Sequence, residues 1–227
     1  LKIKEIDRST TVDRVVTVLR QAMFDGDLAP GETLREIPLS QKLGVARSTV
    51  REALRALATD GLVSRLPNRG LAVRHLTIAE VEDIFMARHL LECEAARASA
   101  RCSDEALSAL RHAFEVYAET ASKGDASLAT TAHVEFHVVM VGLIGSQRLA
   151  DMERSLMRDL QLVITTIDKS SDDLPKEIEK HRILTELFCE RKIGEAIERI
   201  EADLDHAKPF VVRHAADAPK TTPQIAS

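Results

Sequence analysis

The sequence predicts a mostly α-helical protein in two parts: a small helical head ending in a short β-hairpin, and a longer body of helices alone. Three observations predict it. Aromatic residues make up only 3% of the chain, with no Trp and one Tyr, while the good helix formers Ala, Leu, Arg and Glu abound. Apolar residues recur at helical spacing along most of the chain. That period breaks at residues 62–75, where two short apolar runs flank Pro67-Asn68-Arg69-Gly70, a cluster of turn-forming residues. With 227 residues and 44% hydrophobic content, the chain has room for two modest domains, each with its own core.

The elements follow in order. Residues 10–24 place Val12, Val15, Val16, Leu19, Ala22 and Met23 on one helical face, and the helix stops near Gly26 and Pro30. Residues 34–73, LREIPLSQKLGVARSTVREALRALATDGLVSRLPNRGLAV, read as a short helix, a tight turn at Gly44-Val45, an arginine-rich second helix and a two-stranded hairpin. Leu39, Leu43, Val50, Ala53, Leu54 and Leu57 supply the apolar side, and strands are expected at 62–66 and 71–75. Thr77 caps a new helix, with Glu80 three residues on at the capping-box position. Helices are then expected at 78–101, 103–122, 125–143, 147–168, 174–190 and 193–213, divided by Gly124, by Gly142 and Gly145, and by the 170–175 stretch. The tail from Ala215, rich in Ala, Pro, Thr and Lys, is expected to be disordered. The domains are therefore read as 1–75, 76–214 and a tail at 215–227.

Charge separates the parts. Residues 1–75 hold 13 Lys/Arg against 9 Asp/Glu, and residues 76–227 hold 18 against 27. A basic head suits a polyanion, while an acidic body repels it elsewhere. Arg47, Ser48, Thr49 and Arg51 crowd the start of the second head helix. Guanidinium groups can fork onto guanine in the major groove, and hydroxyls can hold phosphate. A DNA-binding head is the reading; a basic solvated helix in some other small domain is the alternative. No apolar run approaches the roughly 20 residues that span a bilayer, and LKIKEIDRST lacks the apolar core of a secretion signal. The first residue is not Met, as in a trimmed chain. Cys93, Cys102 and Cys189 are odd in number and lack metal-type spacing, so reduced thiols in a cytoplasmic protein are expected.

The head closely resembles the winged helix-turn-helix of the GntR family of bacterial transcription regulators. The match runs through Pro30-Gly31, Leu34, Glu36, Leu39, Leu43-Gly44-Val45, Arg47, Val50-Arg51-Glu52-Ala53-Leu54, Leu57, Gly61-Leu62-Val63, Pro67, Arg69-Gly70 and Val73. The resemblance implies that Arg47, Ser48, Thr49 and Arg51 touch DNA, and that Arg69 and Gly70 lie at the wing tip near the minor groove. Many relatives carry arginine where Ile37 stands, and Arg35 is the substitute contact.

Asp83-Ile84-Phe85, Arg88, Leu91-Glu92 and Glu94-Ala95-Ala96-Arg97 resemble the opening helix of the FCD effector domain, the all-helical partner of one GntR branch. Phe136-His137, Gly145, Leu149 and His181-Arg182 continue that resemblance, which is closer to the six-helix form than to the seven-helix form. It implies a helical bundle that dimerises, often holds a divalent metal and senses a small organic acid.

His133 and His137, four apart, project from one helical face and can chelate one ion, although such a pair is as often a hydrogen-bonded helix feature. The family's usual set is an Asp four residues before the Phe-His histidine and two later histidines. Here His133 takes the Asp position, His181 is kept, and Asp203 falls where the last histidine stands, with His206 one turn later as the alternative. Three nitrogens and one oxygen suit Zn, Ni, Mn or Fe(II). Arg88 and Glu92, also four apart, are either a surface ion pair or cavity residues whose guanidinium holds an effector carboxylate. Arg154 and Arg158, four apart on another helix, are either surface residues, the favoured reading, or a fallback anchor.

The expected function is a ligand-responsive transcriptional regulator, a homodimer reading a palindromic double-stranded operator. A metal-dependent hydrolase fused to a DNA-binding head is one alternative, although no HExxH helix or serine elbow is present. An architectural DNA-binding dimer without an effector is the other.

Overall fold

A computed structural model describes residues 10–66, 70–124, 126–170 and 174–217. The chain divides into two compact units that meet between His75 and Leu76. The first contains α1 (Thr11–Phe24), β1 (Thr33–Leu34), α2 (Glu36–Leu43), α3 (Arg47–Thr59), β2 (Val63–Leu66) and β3 (Gly70–Val73). Thr10 caps α1 in a reciprocal box with Asp13, which satisfies two otherwise unpaired amides. Gly44 ends α2 at φ +65°, a left-handed conformation that a side chain would strain, and α3 begins two residues after the following Val45. Val50, Ala53, Leu54 and Leu57 are completely buried on the inner face of α3, where α1 supplies Val15, Leu19 and Met23.

The hairpin is expected as two strands but forms a three-stranded antiparallel sheet in the order β1-β3-β2. Val63 pairs with Val73 and Leu66 with Gly70, while Thr33 and Leu34 pair along the other edge with Ala72 and Leu71. The strands occupy 63–66 and 70–73 instead of 62–66 and 71–75. The turn residues Pro67, Asn68 and Arg69 lie outside the described residues.

The second unit holds α4 (Ile78–Ala98), α5 (Asp104–Ser122), α6 (Ala126–Gly142), α7 (Gln147–Ser170), α8 (Leu174–Cys189) and α9 (Ile193–Asp217). Thr77 and Glu80 form the expected capping box, with Glu80 N donating to Thr77 Oγ1 at 3.2 Å and Thr77 N to Glu80 Oε2 at 2.8 Å. Helices α5, α6 and α7 pack in succession, α4 closes against α9, and α8 lies along both α5 and α9. Phe136, Met140, Met157, Leu160, Phe188 and Ile200 fill the centre, each at most 1% exposed. One end is tied by Arg191, at φ +56° in the α8–α9 turn. Its guanidinium donates to the carbonyls of Ser99 and Cys102 and pairs with Asp104, so two turns are held by one side chain.

One expectation is overturned. Residues 215–217, read as the start of a disordered tail, are the last turn of α9, which continues through Pro209; the rest of that tail lies outside the described residues. No helix among the described residues is long and apolar enough to cross a membrane.

The packing of the head makes one prediction. Leu54→Ala removes a completely buried side chain and should destabilise the first unit by about 2–5 kcal/mol. Urea unfolding followed by amide exchange should show early exchange in α1 and α3, with α4–α9 unchanged.

Candidate functional site

The head presents an open groove between α2, α3 and the sheet, lined by Arg35, Arg47, Arg51, Arg55, Arg65 and Glu36, together with Ile37 and Gly70. The start of α3 suits an anion. Ala46 supplies no side-chain cap and the first turn holds no acidic residue, so its amides and dipole face outward unopposed. Ser48 is exposed there and Thr49 partly so. Arg47 and Arg51 do not float free. Both donate to Glu36, Arg47 Nε to Oε2 at 2.6 Å, Arg51 Nε to Oε1 at 2.8 Å and Arg51 Nη2 to Oε2 at 2.9 Å. The hydrogen bonds from Arg51 and then Arg47 hold the carboxyl at about 2, well below the usual range. Ile37, where relatives carry arginine, is 53% exposed on the same groove. Arg69 lies outside the described residues, and Gly70 opens β3 at φ +83°.

The body encloses a cavity of about 100 Å³ into which α4, α6, α8 and α9 each send polar side chains. His133 and His137 come from α6 and His181 from α8, and their Nε2 atoms form a triangle with sides of 3.0, 3.2 and 3.3 Å. Three imidazoles each about 2.0–2.1 Å from one ion would place their nitrogens about 2.9–3.4 Å apart, so the donor set fits a divalent metal. Second contacts aim the rings. His181 Nδ1 lies 2.7 Å from the Glu177 carbonyl, which assigns its proton there and leaves the Nε2 lone pair facing the triangle. Glu92 Oε1 lies 3.3 Å from His137 Nδ1 and orients that ring in the same way. The His133 ring stacks on Tyr117, with centroids 4.8 Å apart. Burial, reinforced for His133 and His181 by the neighbouring imidazoles, pushes all three below the ordinary imidazole range, His181 to about 3. Neutral rings are the form that ligates a cation.

Arg88 and Glu92 belong to this cavity and are not a surface pair, being 7% and 2% exposed. Arg88 donates through Nε at 2.9 Å and Nη2 at 2.6 Å to Glu92 Oε1, and Nη2 lies 3.5 Å from His137 Nδ1. Behind them Glu153 of α7 is completely buried, its Oε1 3.5 Å from Arg88 Nε and neither oxygen hydrogen-bonded. Burial would raise both carboxyls. Arg88 and His137 outweigh it at Glu92 and hold that group low, whereas burial and the Glu92 charge raise Glu153. The two carboxyls are thus pushed in opposite directions, Glu92 down and Glu153 up.

Asp203 lines the same cavity from α9, but both its oxygens accept from Arg199 at 2.8 Å, and it stands outside the three-histidine group whose donor atoms lie within 4.8 Å of one another. His206 is exposed and does not line the cavity. Arg154 pairs with Glu135, and neither Arg154 nor Arg158 lines the cavity. Glu36, Arg55, Arg65, Tyr117, Glu153 and Glu177 were not foreseen as site residues. Arg55 was within reach, since it follows Arg47 and Arg51 at a spacing of four on α3, whereas the others reach their sites through tertiary packing.

Known proteins agree with this architecture. The family model described as bacterial regulatory proteins, gntR family, matches residues 11–73, and the FCD domain model matches residues 83–206. The Nta operon transcriptional regulator of Aminobacter aminovorans is 31% identical over 167 residues, covering 73% of this chain and 78% of that protein. The gluconate operon transcriptional repressor of Bacillus licheniformis is 30% identical over 139 residues, covering 61% and 57%. A solved structure assigned as a GntR transcriptional regulator, from Rhodococcus sp. RHA1, superimposes with a TM-score of 0.68 at 26% identity, over 90% of this chain and 99% of that one. These are regulators and not enzymes, which sets aside the hydrolase alternative. With a winged head matched by the gntR family model and a helical body matched by the FCD model, the chain belongs to the GntR family of bacterial transcription regulators, in the branch that carries an FCD domain.

Proposed function

We propose that this regulator senses a small organic acid through a divalent metal ion held by His133, His137 and His181, and that it acts as a cytoplasmic homodimer on a palindromic operator. The Nε2 triangle carries the reading, because three neutral imidazoles from two helices converge where a bundle would ordinarily place apolar side chains. When bound, the ion supplies open positions for carboxylate oxygens. Glu92 orients His137, and Asp203, which lines the same cavity, is the candidate for the fourth ligand once it leaves Arg199. Arg88 faces the same cavity with a planar fork suited to a carboxylate. The volume of about 100 Å³ is far below the roughly 300 Å³ at which drug-sized pockets begin, which restricts the effector to a few heavy atoms. A relative named for a gluconate operon supports an acid as the class, while the size of this cavity favours a smaller one. In the head, Arg47 and Arg51 read bases and phosphates, Ser48 and Thr49 hold phosphate, and Arg35, Arg69 and Gly70 complete the contact. The acid changes DNA affinity only through its differential affinity for the two states.

Three measurements test this. Arg47→Ala should weaken operator binding by about 1–3 kcal/mol, and wild-type binding should fall steeply with salt. Titration against operator and scrambled DNA checks it, and an unchanged specificity ratio would remove Arg47 from base readout. Residues 76–227, which have their own core, should sediment as a dimer; a strict monomer at micromolar concentration would refute that placement of the interface. Elemental analysis should show metal lost from His137→Ala and reduced in Asp203→Ala, with full content in His206→Ala and a lower melting temperature wherever metal is lost. The metal-free variants should still bind operator but ignore the acid. Full metal content in His133→Ala, His137→Ala and His181→Ala alike would leave the histidines as ordinary cavity residues.

A further inference from the structure

The helix that carries Arg88 and Glu92 into the cavity carries a second polar pair one residue further round. His89 and Cys93, again four apart, leave α4 on the side that meets α9, where Glu201 waits. His89 Nε2 and Glu201 Oε1 are 3.3 Å apart, and one donor atom each from His89, Cys93 and Glu201 all lie within 4.8 Å of one another. Cys93 is 2% exposed, so its thiol forms the floor of the cluster. His89 and Glu201 are about half exposed, 45% and 50%, at the edge of an open groove also lined by Glu82, Asp205 and Lys208. His89 and Glu201 thus face solvent at the groove, and the buried Cys93 sulfur is close enough for all three to share one ion.

We propose that His89, Cys93 and Glu201 form a second cation site, selective for a thiophilic divalent ion such as Zn(II) or Co(II). The donor set differs in kind from the three imidazoles of the cavity. One thiolate, one imidazole and one carboxylate make a softer site, to which Mg(II) and Mn(II) are poorly matched. Binding replaces the thiol proton by the ion and releases that proton to solvent. Water, or the Glu82 or Asp205 carboxylate across the groove, completes the coordination. The mechanical effect follows from the two helices involved. Helix α4 also sends Arg88 and Glu92 into the cavity, and α9 sends Asp203, so an ion bridging His89, Cys93 and Glu201 staples two cavity walls together from outside.

Cobalt reads the two sites separately, because this one contains a cysteine thiolate whereas the sulfur lining the histidine cavity is the Met157 thioether. Full-length protein titrated with Co(II) alone should develop a sulfur-to-cobalt charge-transfer band in the near ultraviolet, and Zn(II) should erase it. The band should persist in His137→Ala, which tests this site whatever the fate of the cavity histidines. Cys93→Ser should lose it, Cys102→Ser and Cys189→Ser should keep it, and Glu201→Gln should need more cobalt to reach it. If Cys93→Ser does not fold by far-ultraviolet circular dichroism, His89→Gln, at a half-exposed position, decides by weakening the band. No band in the wild-type protein, or a band that survives Cys93→Ser, overturns the site and leaves His89 and Glu201 as an interhelical ion pair.

Discussion

Burying Arg88 is the constraint on which the body depends. Taking a guanidinium out of water costs several kcal/mol unless charge and donors are matched, and α4 places it where α6, α7 and α9 leave almost no solvent. Glu92, one turn on, supplies the counter-charge, and the same oxygen orients His137. His137 in turn brings its Nε2 to those of His133 and His181. The polar centre is therefore one connected network, in which removing a single member strands the others in a low dielectric. Burial and the Glu92 charge push the Glu153 carboxyl up, which favours its neutral form beside that pair.

Apolar packing provides the rigidity this network needs. The histidines sit between Phe136, whose ring lies 5.3 Å from those of His137 and His181, and Tyr117, which stacks on His133. Rings so enclosed have little rotational freedom, and a donor triangle held by packing is already arranged before any ligand arrives. The head is organised oppositely. Its core is wholly apolar, and its charged groups face an open groove, as befits a surface that must meet a solvated polyanion.

Much of this was legible in the sequence wherever the determinant was local. Thr77 and Glu80 announce α4 by a spacing of three, and Gly44 marks the turn by its left-handed backbone. Strand β1 was not legible, because two residues contain no period. It exists since the Val73 amide finds the Glu32 carbonyl and the Gly31 amide finds the Val73 carbonyl. Helix α9 outran its expected end at 213 because residues 214–217, His-Ala-Ala-Asp, contain no Gly or Pro to stop it. His133 and His137 share a face by spacing alone, whereas His181 needed the family resemblance, and Glu153 had no signal at all. Arg88 and Glu92 show the limit most clearly. A spacing of four is the same on a solvated face and on a buried one, and only the packing of four helices decides between them. Cys93 is similar, since its companion Glu201 is 108 positions away in the chain.

On the proposed reading, in which Arg47 and Arg51 contact DNA, the grip of Glu36 on them bears on how the protein searches a chromosome. A phosphate reaching either guanidinium competes with a carboxylate already at 2.6–2.9 Å, so generic backbone offers these arginines little that they lack. A base edge with two well-placed acceptors competes better, because it answers the geometry of the fork as well as its charge. Residence on wrong sequences would thereby be shortened more than residence on the right one. An acidic residue in the middle of such a groove would then serve discrimination at the expense of raw attraction.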